Sequence, residues 1–310
     1  MLSLGRPATS SVFDLRSLKE CMKDSIDSFI EELLKEDPKV PAPSNKVVSF
    51  DEEAAFLDLI NFAFETEELE NFHPLFSECT LLMTLIIPLS YIALGLPEFK
   101  KHRKTTEKAE SKYRIEDPLS PIFESYFTMW TLFDLEIGKT GKVLTDLAIS
   151  SKMPLDIDKD KLSLIERMKM SYTGVYLCEE KSEESFKLKE IPSGRSIEAV
   201  LEPGWDEEIE KGDILLIRLI ENAQDGTHVQ LSSPYVVNST EDDWIEFFAE
   251  HGIDQGQSFD LEKYREFMKR GISPEFWLNY INSACLSIND MVVTLEGTPL
   301  LPVKNFKGEK

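Results

Sequence analysis

The sequence predicts an α+β protein, with a small antiparallel β barrel or curled sheet between an N-terminal helical region and a C-terminal helical cap. Helical periodicity of apolar residues stops at Ser171, and short alternating runs typical of strands continue to Val237. Among them, Lys211-Gly212-Asp213 turns the chain into the apolar run 214–220, the strongest strand pattern present. Helical patterns return after Val237. The predicted units are an N-terminal helical region (1–116), a helical lead-in (117–170), a β domain (171–237) and a C-terminal helical region (238–310).

In the N-terminal half, apolar residues at helical spacing predict an amphipathic helix over 13–36, followed by a proline-containing connector over 37–46. Ser49 and Glu52 form a capping-box pattern at the start of a second helix. Further helices are predicted over 81–96, 122–133, 144–149 and 162–170. The aromatic residues of 122–133 are expected to pack in the core rather than to stack on a ligand.

Five strands are expected in the β domain, at 172–178, 185–191, 196–201, 214–220 and 227–231. Pro192-Ser193-Gly194 and Asp225-Gly226 supply the turns of two hairpins. Beyond the sheet, Thr240 or Asp242 is suited to cap a helix over 244–251, and Gly252 to end it in a left-handed conformation. Helices are expected over 261–270 and 274–286, and an extended segment over 291–303.

The composition is that of a globular protein with a strongly acidic surface. The 310 residues include 57 acidic and 34 basic side chains, which give a formal net charge of −23, and 42% are hydrophobic. Such a charge repels nucleic-acid phosphates and anionic lipids, so neither a nucleic acid nor a membrane is expected as partner. The surplus of carboxylates either keeps the protein soluble or receives a basic partner protein or peptide.

The four cysteines and the apolar segments favour a cytoplasmic location. The cysteines lie far apart with no pair at metal-ligand or redox spacing, which predicts free buried thiols in a reducing compartment. Residues 1–11 contain no apolar secretory segment. The run 81–96 is shorter than the roughly 20 apolar residues of a membrane span and contains Pro88 and Gly95, so a buried helix is expected. The basic cluster 100–104 after it would also suit the flank of a span.

Two short motifs resemble ligand sites but lack essential residues. Gly138-Lys139-Thr140 has the end of a phosphate-binding loop, yet Phe133 stands where that loop needs a glycine. The acidic residues at 156, 158 and 160 alternate as in a calcium loop, but Lys161 replaces its glycine and Arg167 its bidentate glutamate. An ordinary turn and a helix start are therefore expected, and no cofactor or metal is predicted.

Three residues are the candidates for binding. Trp205 and Trp244 are aromatic side chains near the sheet that the sequence suggests are exposed. Trp205 follows the turn Pro203-Gly204, where the indole is expected to fold back onto the core, the alternative being display for binding. Arg218 lies inside an otherwise apolar strand. It is expected to point outward from the barrel or to pair with an acid such as Glu198 or Glu202 across strands, and the alternative is contact with an anionic ligand.

The function expected from these features is a non-enzymatic, cytoplasmic module that binds a protein or peptide. The alternative is a hydrolytic or metal-assisted enzyme whose site is assembled from residues distant in sequence. A small barrel that binds single-stranded nucleic acid would need a basic groove with stacking aromatics, which the charge disfavours. The oligomeric state stays open. The candidate residues for an enzyme site are His73, Glu78, His228, His251 and Asp254.

The order of several motifs resembles that of a group of uncharacterised bacterial proteins, many of which carry a C-terminal SEC-C zinc motif. The motifs are Phe123-x-x-Tyr126-Phe127-x-x-Trp130, Phe133-Asp134, Gly138-Lys139-Thr140, Arg167-Met168, Ser171-x-x-x-Val175-Tyr176 and Gly212-Asp213-Ile214-Leu215-x-x-Arg218. The resemblance covers about 120–237 and implies a helical lead-in followed by a small β domain. The SEC-C motif is a tight cysteine cluster, and only Cys285 lies in the last hundred residues. The zinc site is therefore not carried over.

Overall fold

A computed structural model describes residues 28–35, 72–96, 99–113, 120–150, 159–202, 208–288 and 292–299. The described helices are α1 (28–35), α2 (Pro74–Gly95), α3 (Lys100–Tyr113), α4 (Ser120–Met129), α5 (Leu144–Ser150), α6 (Lys159–Met170), α7 (Glu241–Glu250), α8 (Leu261–Arg270) and α9 (Phe276–Ala284). A π-helical turn (Trp130–Asp134) continues α4, and a 3₁₀ turn (Gly256–Ser258) precedes α8. Within these residues, no helix has the length and apolar character required to cross a membrane.

The strands are β1 (Thr173–Lys181), β2 (Phe186–Glu190), β3 (Ser196–Val200), β4 (Ile214–Glu221), β5 (His228–Gln230), β6 (Tyr235–Asn238), β7 (Cys285–Ile288) and β8 (Val293–Glu296). The first five form a closed barrel in the order β1–β2–β3–β5–β4, because β4 also pairs with β1. All neighbours are antiparallel except β3 and β5, which are parallel. This strand order is that of OB-type Greek-key barrels. The predicted α+β class with a small barrel is thus confirmed.

Alternation along β4 explains why its sequence is apolar throughout. Leu215, Ile217 and Leu219 point into the barrel, where they pack with residues of β1, β2 and β3. Ile214 and Leu216 point outward and belong to a second core with α7, α8 and α9, whereas Ile220 belongs to a third core with the N-terminal helices. A strand that is covered on both sides reads as a continuous apolar run instead of an alternating one.

The partner of β4 on its other edge is a broken strand. β5 pairs with the end of β4 and β6 with its beginning, and the register shifts by two residues between them. The extra residues form a bulge over 231–234, opposite Arg218. The backbone N–H of Arg218 loses its ladder partner there and donates to the Ser232 hydroxyl instead, at 3.1 Å.

The C-terminal part of the chain adds two strands to the sheet. β8 pairs in parallel with β6, and β7 pairs antiparallel with β8 at the end of the sheet order. The extended segment expected over 291–303 is therefore confirmed for β8. The helix expected over 274–286 ends at Ala284, since Cys285 and Leu286 already belong to β7, where Leu286 is bulged and exposed.

Local signals placed most other elements correctly. Thr240 and Asp243 form a capping box at α7, and Gly252 ends it at a φ of 69°. The hairpin turn at Pro192-Ser193-Gly194 is present, with Gly194 at a φ of 70°. Of the first predicted helix only 28–35 is described, and the predicted connector 37–46 and second helix lie outside the described residues.

Candidate functional site

Arg218 lies on the outer face of β4, between the two cores that flank the barrel. Its neighbours on that face are Leu216, in the core with the C-terminal helices, and Ile220, in the core with the N-terminal helices. The outward direction expected from the alternation is confirmed, but the side chain is fully buried because helices cover this face. An arginine in such a position must find acceptors within the protein.

The acceptors of Arg218 come from the helical lead-in and from Ser171, which directly follows it. Nη2 donates to Asp134 Oδ1 at 2.5 Å and to the Ser171 carbonyl at 3.2 Å, and Nη1 to the Met129 carbonyl at 3.4 Å. The guanidinium also lies over the Phe133 ring, 5.5 Å from its centroid. The expected pairing with Glu198 or Glu202 is wrong. Glu198 is exposed and accepts from Ser185, and Glu202 faces another element.

The π-helical turn brings Asp134 to this position. A π turn shifts the direction of the following side chains relative to an α-helix, and such turns occur often at functional sites. Here Trp130 joins the C-terminal core, Phe133 the N-terminal core, and Asp134 is left between them with 3% exposure. The sequence signal for this pair is an acid directly after the aromatic-rich segment 122–133 and a single base inside the apolar run 214–220.

Lys269 of α8 completes a buried charge cluster with Arg218 and Asp134. Its ammonium lies 3.7 Å from Asp134 Oδ1, and it donates to the carbonyls of Phe133 and Lys169. Burial lowers its pKa to about 8, and the nearby Arg218 adds to the effect while Asp134 opposes it. The cluster connects the barrel, the helical lead-in and α8. Because it is buried, it is a structural contact that holds these elements together.

Of the two candidate tryptophans, the structure describes Trp244. Trp205 lies outside the described residues. Trp244 was expected to be exposed, and this is wrong, since its exposure is 0%. It stacks on Trp277 with ring centroids 6.5 Å apart, and its Nε1–H donates to Ser239 Oγ at 2.8 Å. With its one polar atom satisfied, the indole can be buried without loss in the aromatic cluster of the C-terminal helices.

The residues considered for an enzyme site belong to three parts of the fold: the start of α2, strand β5 and the end of α7. His73 caps α2, where its Nδ1 accepts from Leu75 N–H. His251 lies at the end of α7 against Phe247, and Asp254 is exposed beyond it. His228 belongs to the barrel. No group of three metal-ligating side chains exists among the described residues.

A polar cluster that sequence patterns did not indicate closes one end of the barrel. Glu190, 1% exposed, accepts from the Tyr172 hydroxyl at 2.6 Å and from Ser193 Oγ at 2.7 Å. Burial and the carboxylate of Glu190 raise the pKa of Tyr172. Arg195 lies 3.5 Å from His228 Nε2, and burial together with this arginine lowers the pKa of His228. These side chains lie together at one end of the barrel, where His228 Nδ1 is buried without a hydrogen-bond partner among the described residues.

A second buried carboxylate attaches the barrel to α2. Glu202 Oε2 accepts from the His73 N–H at 3.0 Å, at the positive end of the helix. The Glu202 N–H donates to Gln230 Oε1 at 3.2 Å. Glu202 Oε1 and Gln230 Nε2 are buried without a hydrogen-bond partner in the described residues. Burial raises the pKa of Glu202.

The end of β1, the β1–β2 turn and the exposed residues of β2 and β3 form a part of the barrel surface that the described helices leave exposed, and it is acidic. The first half of β1 instead packs against the C-terminal helices through Val175 and Leu177. We call the exposed surface, formed by Glu179, Glu180, Glu183, Glu184 and Glu198, the acidic face. Within it Lys187 lies 3.8 Å from Glu179 and 3.6 Å from Glu180. Glu179 also accepts from Ser196 Oγ, Glu198 accepts from Ser185 Oγ, and Glu183 and Glu184 are exposed in the β1–β2 turn.

Comparisons with known proteins give no relative for this chain. No family model matches it, and no curated protein or solved structure has significant similarity to it.

Proposed function

We propose that this protein is a non-enzymatic cytoplasmic module that binds a basic segment of a partner protein on the acidic face of its barrel. The observation that carries the proposal is the excess of carboxylates on this exposed part of the barrel. Five glutamates lie here with Lys187 and Lys181, and Lys181 is already 3.6 Å from Glu210. Opposite charge on a partner would gain from this local field and from the net charge of −23. Complementary charge of this kind sets the association rate and the choice of partner.

The chemistry of the acidic face also argues against an oligonucleotide. OB-type barrels bind ligands across strands 2 and 3, an analogy of fold that by itself assigns no function. The exposed residues on these strands are Lys187, Ser196 and Glu198, with Lys189 held by Glu241 at 2.8 Å. A site for single-stranded nucleic acid requires aromatic side chains that stack on the nucleobases and Lys or Arg side chains that are not already paired with acids. Neither is present on this face among the described residues, so a basic peptide fits it better.

A selection for binding peptides tests the proposal. A displayed library of random peptides is panned against the full chain, and the selected peptides are expected to be rich in Lys and Arg. Their affinity should fall as salt rises and should be about tenfold weaker for E180Q/E183Q/E184Q, since each exposed pair contributes below about 1 kcal/mol. Titration calorimetry or fluorescence anisotropy measures both effects.

The matched control is E246Q/E250Q/D254N, which removes the same three charges from exposed positions of the C-terminal part. It should bind the selected peptides nearly as the wild type does. Peptides without basic residues, or equal binding by the two variants, would refute the assignment of the acidic face.

A further inference from the structure

We propose that the exposed side of α3 is a second docking surface, which binds a carboxylate-rich helical segment of a partner protein. The surface consists of Lys100, Lys101, Lys104, Lys108 and Lys112, which we call the basic stripe. All five lysines are exposed. The stripe is separate from the acidic face, and the proposal does not depend on the function assigned to that face.

The geometry of α3 presents the lysines in one direction. At 3.6 residues per turn, they fall on about a third of the helix circumference and extend over about 18 Å. His102, Thr106 and Ala109 lie on another side of the helix and are buried. His102 Nδ1 contacts the Glu136 carbonyl at 3.3 Å, which fixes the rotation of α3. The basic stripe is therefore held toward solvent.

The charges of the basic stripe repel one another, and Glu107 of the same helix is paired with Arg103, which lies outside the stripe. α3 contains six basic and two acidic residues in a chain of net charge −23. Lysines three or four residues apart destabilise a helix, and the first turn, whose backbone is already positive, contains no acid. Carboxylates supplied from outside would remove this repulsion.

The described residues neutralise only one end of the basic stripe. Lys108 and Lys112 both lie near the carboxylate of Glu275 at the start of α9, at 3.4 and 3.7 Å. Lys100 and Lys101, like Lys104, have no acidic partner within ion-pair distance among the described residues. The N-terminal half of the stripe is therefore where a partner would bind.

Carboxylates fit the basic stripe better than phosphates do. Arginine grips phosphate in a bidentate manner, and Arg103, the arginine of this helix, already contacts the Leu94 carbonyl at 3.4 Å and Glu107 at 3.6 Å. The net charge of −23 repels a polyanion such as nucleic acid or an anionic bilayer far more than a short acidic segment. Glutamates at i, i+3 and i+7 of a helix have the same spacing as the lysines.

Fluorescence anisotropy with a defined probe tests the proposal. The probe is a labelled alanine-based peptide of about 18 residues with glutamate at i, i+3, i+7 and i+11. We expect salt-sensitive binding to the full chain and about tenfold weaker binding to K100Q/K101Q/K104Q. The control K181Q/K187Q/K211Q changes the net charge equally on the barrel and should bind as the wild type does.

A charge swap separates specific docking from general attraction. K100E/K101E/K104E should prefer a probe in which lysine replaces glutamate, and circular dichroism checks that it folds. The proposal is overturned if the wild type does not bind the acidic probe at low salt, or if K100Q/K101Q/K104Q binds like the wild type. Tighter binding of a single-stranded oligonucleotide or of anionic vesicles than of the probe would also overturn it. Each result is independent of peptide binding at the acidic face.

Discussion

Arg218 shows how one polar residue in an apolar strand can join three parts of a protein. Its alternation within β4 could be read from the sequence, and so could its outward direction. Its partner could not, because Asp134 lies 84 residues earlier and reaches it only through the π-helical turn. Lys269 comes from α8 and brings a third segment to the same carboxylate. Contacts between segments this far apart leave no local pattern.

Replacing one member of the Arg218–Asp134 pair should lower the free energy of unfolding far more than replacing both members together. R218M or D134N leaves one buried charge without its main partner, and each should lower the free energy of unfolding by about 3–5 kcal/mol. R218M/D134N should cost much less than the sum of the two. Urea denaturation of the four proteins in a double-mutant cycle measures the coupling.

The surface pair Arg103–Glu107 serves as the control for that cycle. Its side chains are 39% and 62% exposed, so R103M/E107Q and the single variants should each change stability by less than about 1 kcal/mol. Additive effects of R218M and D134N would contradict a tightly coupled buried pair.

His102 should make stability depend on pH. Burial lowers its pKa from 6.5 to about 4, against a smaller opposing effect of the Glu136 carbonyl. Between these values the unfolded chain binds a proton at this site and the folded protein does not. The free energy of unfolding is therefore highest above pH 6.5 with respect to this group. It falls by up to about 3 kcal/mol as the pH is lowered toward 4.

The variant H102N should flatten this dependence, since asparagine does not titrate and can still donate to the Glu136 carbonyl. Denaturation midpoints between pH 4 and 7 give the slope. S111A, an exposed and non-titrating change in the same helix, should keep the slope of the wild type. An unchanged slope in H102N would show that His102 is not the group responsible.

Among the elements, the broken strand of β5 and β6 was the least predictable. The sequence indicated a strand over 227–231 but not its continuation as β6. A bulge over 231–234 separates the two, and its Ser232 replaces a ladder partner for the Arg218 N–H. A side-chain hydroxyl that replaces a backbone carbonyl as hydrogen-bond acceptor leaves no mark on the hydrophobic periodicity. The sequence therefore could not reveal the bulge.

Ser232 should therefore stabilise the fold through its hydroxyl alone. S232A leaves the buried Arg218 N–H without an acceptor and should lower the free energy of unfolding by about 1–3 kcal/mol. S232T keeps the hydroxyl and should recover part of the loss. Ser258 is exposed, so the control S258A should change the free energy of unfolding, measured by thermal or urea denaturation, by less than about 0.5 kcal/mol. Equal stability of S232A and the wild type would refute this role.

On the scale of the whole molecule, three apolar cores meet at β4. One fills the barrel, one lies between the barrel and the C-terminal helices, and one lies between the barrel and the N-terminal helices. The helical lead-in contributes to both outer cores, through Trp130 and Phe133. The two charged surfaces, acidic on β1–β3 and basic on α3, lie outside these cores, where changes of charge do not disturb packing.

The types of the elements and most of their positions follow from local patterns, because periodicity, caps and turns act between residues close in the chain. The same holds for the excess of acid and for the lysines of α3. The partner of Arg218, the burial of Trp244 and the addition of β7 and β8 to the sheet depend on which distant segments meet. Such meetings follow from the packing of whole apolar faces, and only the three-dimensional fold reveals them.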